Sequence, residues 1–86
     1  MSNTVYLIAG QYGMRPAIPL EDIARDYLGL DRRAAFRAAI ERRLPFPAFR
    51  GESNKSPWMV STSDFANWLD AQAANARAIH TTLKVA

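Results

Sequence analysis

Three features of the sequence predict a mainly α fold with a small β-hairpin, a winged helix-turn-helix with a long C-terminal helix. Two stretches of helical periodicity meet at a Gly-Leu-Asp turn. Two short β-prone segments then flank a polar tip, and a final run repeats apolar residues at heptad spacing. With 86 residues, 49% of them hydrophobic and 22% charged, the chain is expected to fold as one domain over 1–86. Its helix-turn-helix is expected at about 20–43, its wing at about 46–60 and its last helix at about 63–83.

Residues 4–12 carry both signals, because Val5, Ile8, Ala9 and Tyr12 fit helical spacing while Val5 to Ile8 is β-prone. The balance favours a helix. Gly13, Pro16 and Pro19 break regular structure, and Pro19 suits the start of the next helix, where an N–H would go unpaired anyway. Leu20, Ile23, Ala24, Tyr27 and Leu28 form one apolar stripe, and Glu21 and Asp22 lie in the first turn, where the helix dipole favours acids. Gly29 is a C-cap and Asp31 the N-cap of a second helix over about 32–43. That helix is expected to bury Ala35, Ala38 and Ala39 together with Phe36 and Ile40, leaving Arg33 and Arg37 on the opposite face.

Pro45 ends this helix, and residues 46–50 and 56–60 read as the two wing strands, anchored by Phe49, Trp58 and Val60. Ser61 with Asp64 resembles a capping box for the last helix. In that helix Phe65, Leu69, Gln72, Ala76, Ile79 and Leu83 form a stripe interrupted only by Gln72. Its early part can cover the domain's own core. Its later part needs another partner, either a second copy or residues 5–12, and a homodimer is expected because helix-turn-helix proteins commonly read paired half-sites.

Charge is unevenly placed. The net charge is +3, but residues 32–55 hold seven cations against two anions, a local +5, and the remainder is net negative. Such asymmetry points to a polyanion, and an arginine fork can contact phosphate or guanine through two hydrogen bonds. Arg33 and Arg37 are the expected base or phosphate contacts, with Arg32, Arg42 and Arg43 beside the backbone and Arg50, Asn54 and Lys55 on the wing. A solvated face with surface ion pairs is the competing reading of any charge run. The tight turn before this run and the basic hairpin after it favour double-stranded DNA.

Other chemistry finds little support. There is no cysteine, so disulfides, thiolate zinc sites and cysteine nucleophiles are excluded. His80 alone makes no zinc site, and there is no Gly-rich phosphate loop or nucleophile–base set. No enzyme activity and no cofactor are expected. Trp58, Trp68, Phe49 and Phe65 read as core residues rather than base-stacking platforms. The longest apolar stretch falls far short of a membrane span, and a cytoplasmic, nucleoid-associated location is expected.

Several segments together resemble the pyocin activator protein (PrtN-type) family. They are Ile18-Pro19-Leu20-Glu21-Asp22, Asp26-Tyr27-Leu28-Gly29-Leu30, Leu44-Pro45-Phe46-Pro47-Ala48-Phe49-Arg50 and Lys55-Ser56-Pro57-Trp58. More distantly, residues 29–45 resemble the winged helix-turn-helix of excisionases and MerR-type regulators. The resemblance implies a small transcriptional activator acting upstream of phage-tail-like bacteriocin or prophage genes. It also implies a DNA-contact role for Arg33, Arg37, Arg50 and Lys55. The chain departs from the family pattern at Asp31, where the pattern has Ser, and at Arg42-Arg43, where the pattern has Gly before Leu-Pro. The alternatives are an excisionase-like architectural protein that bends DNA, and a protein-binding adaptor or anti-repressor. Contact with RNA polymerase is left open.

Overall fold

The computed structural model describes residues 3–52 and 55–85. It is mainly helical, with one small antiparallel sheet. The elements are α1 (Asn3–Gln11), β1 (Ala17–Pro19), α2 (Leu20–Ile23), a π-helical continuation (Ala24–Leu28), α3 (Arg32–Ile40), β2 (Met59–Ser61) and α4 (Thr62–Val85).

The segment expected at 4–12 forms the helix Asn3–Gln11, as the periodicity favoured, with Tyr12 in the turn that follows. The Leu20 to Leu28 stripe is helical throughout, but its second half winds more loosely than expected. The Ala24 carbonyl accepts the N–H of both Gly29 and Leu30, which closes the turn. Gly29 has φ 66°, the left-handed conformation that glycine takes without steric cost. Asp31 then caps α3, its carboxylate accepting the Ala34 N–H at 2.8 Å. Small residues on the inner face of α3, Ala35, Ala38 and Ala39, are buried, so the two helices approach closely.

The β structure differs from the expected hairpin. Strand β2 pairs chiefly with β1, in the register Ala17↔Ser61, Ile18↔Val60 and Pro19↔Met59. The segment expected as the first wing strand contributes a single bridge, Phe49↔Met59, in which the Met59 N–H and C=O both bond Phe49 while Pro19 of β1 lies opposite on the other side. Proline explains both outcomes. Pro45, Pro47 and Pro57 lack N–H donors and restrict the residues before them, so a hairpin ladder cannot lengthen. Pro16 and Pro19 lie in and beside an edge strand, where a missing donor is tolerated, and Pro19 immediately precedes α2. Gly51 closes the base of the 49–59 loop, since a Cβ there would lie 2.7 Å from the Ser56 hydroxyl.

The core gathers one or two residues from each element around Phe65. Ile8, Ile18, Leu20, Ile23, Ala24, Ala35, Ala39, Phe46 and Val60 are buried with it. Tyr27 and Phe46 meet the Phe65 ring edge-on at 4.9 and 5.6 Å, and Trp68 stacks on it at 5.7 Å. Phe65 and Trp68 are thus core-side residues, as expected. Trp58 is half-buried. Phe49 is not an anchor: half of its surface is exposed, because its strand is too short to fold back over the core.

Helix α1 is tied down at both ends, by Thr4 donating to Asp70 and by Tyr12 and Tyr27 bonding across to Asp26 and Gln11. It therefore covers α4 only as far as Asp70. Residues 71–83 of α4 are all exposed, including Ile79 and Leu83 at 53% and 72%.

Candidate nucleic-acid interface

The interface builds from the outer face of α3. With Ala35, Ala38 and Ala39 turned to the core, the 100° step per residue places Arg33, Arg37 and Ile40 outward, while Phe36, expected in the core, packs partly against it from the flank. Ile40 was expected in the core and is instead 64% exposed, since it lies seven residues after Arg33 and shares its face. Arg32, Arg33, Phe36, Arg37 and Ile40 line a shallow concavity of about 550 Å³. Ile40 also borders a second concavity of about 690 Å³, walled by Leu44, Pro45 and Pro47 and flanked by Arg42 and Arg50. The two form one surface that runs from α3 to the loop bearing Phe49.

Helix α3 ends three residues before the expected Arg43. The Arg43 N–H bonds the Ala38 carbonyl at 2.9 Å and the Arg42 N–H bonds Ala39 at 3.2 Å, the two bonds of a Schellman motif. That motif needs a left-handed residue, and Arg42 takes it with φ 56°. A side chain with a Cβ adopts this conformation at a cost of about 1–2 kcal/mol. The bend turns the chain so that Arg42 borders the second concavity while Arg43 pairs with Glu41 at 2.7 Å.

The expected contact residues therefore divide by environment. Arg33, Arg37 and Arg42 form no ion pair with any described residue. Arg32 lies 3.6 Å from Glu21 and its guanidinium sits 5.1 Å from the centroid of the Phe36 ring. Arg50 stacks over Trp58 at 4.9 Å, which fixes its direction. Arg43 is held by Glu41 and is not among the residues lining either concavity. Lys55 is exposed beyond the 49–59 bridge, and Asn54 lies outside the described residues. Sequence reasoning missed one apolar component, Ile40 among the arginines. The spacing of Arg33, Arg37 and Ile40 at i, i+4 and i+7 carried that signal.

Asp26 pairs with Arg25 at 3.0 Å and accepts the Tyr12 hydroxyl at 2.8 Å; these two bonds hold its carboxyl below the ordinary carboxylate range. Burial, reinforced by Asp26, pushes the Tyr12 phenol up. Among the described residues no group of three or more His, Asp or Glu side chains could hold a metal, and no helix is long and apolar enough to cross a membrane.

Comparison with known proteins agrees with the resemblance in the sequence. The family model for pyocin activator protein PrtN matches residues 4–76, which span α1, the sheet, α3 and the packed half of α4. No curated protein and no solved structure shows a significant match. The match runs through every element that builds the arginine surface, and the chain belongs to the pyocin activator protein PrtN family.

Proposed function

We propose that this protein binds double-stranded DNA sequence-specifically, as a homodimer, and activates transcription of pyocin or related prophage genes. In this reading α2 through α3 is the helix-turn-helix, α3 enters the major groove, and the 49–59 loop is a short wing beside the phosphate backbone. The observation that carries it is the trio Arg33, Arg37 and Arg42. They are exposed, have no ion-pair partner among the described residues, and lie on one surface with the stacked Arg50. A solvated charge face ordinarily places acids between its cations, as α2 and its π-helical continuation do with Asp22, Arg25 and Asp26. The family description is that of a regulator rather than an enzyme.

Dimerisation rests on α4. The exposed Ala76, Ile79 and Leu83 continue the stripe of Phe65 and Leu69 beyond the reach of α1. A second copy would cover them, and a chain truncated after Ala71 is expected to scatter light as a monomer while the full chain scatters as a dimer.

DNA binding is tested by fluorescence anisotropy with promoter fragments from near this gene, against a scrambled duplex, at two salt concentrations. With four or five phosphates neutralised per protomer, log K should fall against log salt with a slope of about −4 per protomer. A promoter preference of about a thousandfold is expected of a specific regulator. Replacing Arg37 with Ala should cost about 1–3 kcal/mol. Absence of binding at either salt would refute the reading.

A further inference from the structure

We infer that Ile40 is a specificity-determining residue that reads the 5-methyl group of a thymine in the major groove. The inference rests on the DNA reading above and adds to it what one apolar side chain does there. Single exposed apolar residues are ordinary on protein surfaces. Ile40 is distinguished by its position. It projects 64% exposed from the last turn of α3, on the face opposite the buried alanines, and it borders both concavities of the arginine surface. Ile40 is the exposed branched aliphatic group among Arg33, Arg37, Arg42 and Arg50, whereas the neighbouring Phe36 and Leu44 are partly buried against the core.

In a duplex the major groove presents few apolar features, and the thymine methyl is the one that marks a base pair. A cationic surface that draws in phosphates would bring Ile40 against the base edges that α3 faces. Burying one methyl is worth about fourfold in affinity. Position along the helix also constrains the contact. Ile40 lies three residues beyond Arg37, about 4.5 Å along the axis. Base pairs stack about 3.4 Å apart, so the thymine should lie one or two base pairs from the site of the Arg37 contact.

The test uses the full chain and a duplex selected from a randomised library. Each thymine of that duplex is replaced in turn by deoxyuridine, which removes only the methyl. The wild type should lose about fourfold in affinity at one or two positions. Ile40→Ala should bind the thymine duplex about fourfold more weakly and be indifferent to deoxyuridine at those positions. Ile40→Val should retain part of the discrimination. Arg37→Ala should bind both duplexes more weakly while keeping the thymine preference. Wild-type indifference to every deoxyuridine, with the selected duplex still bound in a salt-dependent way, would overturn the role of Ile40 and leave the DNA reading intact. Undiminished discrimination by Ile40→Ala would do the same. If no duplex is retained at low salt, the DNA reading falls and this role falls with it.

Discussion

Arg42→Gly should make the protein more stable and a poorer DNA binder. Arg42 has φ 56° in the turn that ends α3, and its N–H and that of Arg43 close that turn on Ala39 and Ala38. Holding a Cβ in this conformation costs about 1–2 kcal/mol, which glycine avoids. Glycine gives back about 0.5–1 kcal/mol through the greater freedom of the unfolded chain, so the net gain is about 0.5–1 kcal/mol. For a domain of this size that is about 2–8 °C in Tm. The side chain is exposed and forms no ion pair with the described residues, so little folded-state contact is lost with it. Thermal and urea denaturation read the gain, with an unchanged m-value as the sign that compactness is unaltered. Arg42→Ala is the control. It removes the same charge but keeps the Cβ, so its Tm should stay near the wild type. Both variants should reduce the salt slope of DNA binding by about 1. An Arg42→Gly variant that melts no higher than Arg42→Ala would refute the assigned conformational cost. Equal salt slopes for all three proteins would refute the phosphate contact.

Three further outcomes follow from the packing and the caps. Asp31→Ala removes the acceptor for the Ala34 N–H and should destabilise the fold by about 1 kcal/mol, whereas Asp31→Ser should retain most of the cap, as urea midpoints will show. Phe65→Ala empties the site where Tyr27, Phe46 and Trp68 converge and should cost about 3–5 kcal/mol, enough to leave a domain this small largely unfolded by circular dichroism. Asp26 ionises more readily folded than unfolded, so its bonds with Arg25 and Tyr12 stabilise the fold above the ordinary carboxylate pKa of 3.8 and stop doing so as pH falls through its lower folded value. Asp26→Asn should therefore be less stable than wild type at pH 7 and converge with it in acid, and a gap that persists at the lowest pH would contradict the assignment.

Local chemistry alone determined much of this protein. The turn between the two central helices follows from the positive φ that Gly29 accepts and from the short side chain with which Asp31 reaches the Ala34 N–H. The order of helices, the burial of Ala35, Ala38 and Ala39, and the location of the arginines follow from a 3.6-residue period. The family was legible as well, because its Pro-Ala-Phe-Arg and Lys-Ser-Pro-Trp segments are specific strings of residues.

What only tertiary structure decided are relations between distant segments. Strand β2 could pair with either neighbour, and β1 supplied three paired positions where the expected wing strand supplied one. Prolines mark where a ladder stops, but they do not say which of two remote segments a strand will join. Ile40 was read as core because its helix is amphipathic, yet the core lies behind the alanines, and that side is set by where α2 packs. Likewise, the sequence places seven cations in one stretch, but which of them pair is a matter of distance. Glu41 holds Arg43, and Glu21 reaches Arg32 from another helix. Arg33, Arg37 and Arg42 are left without an ion pair because no described acid comes within reach, a fact of three-dimensional placement that spacing along the chain does not contain.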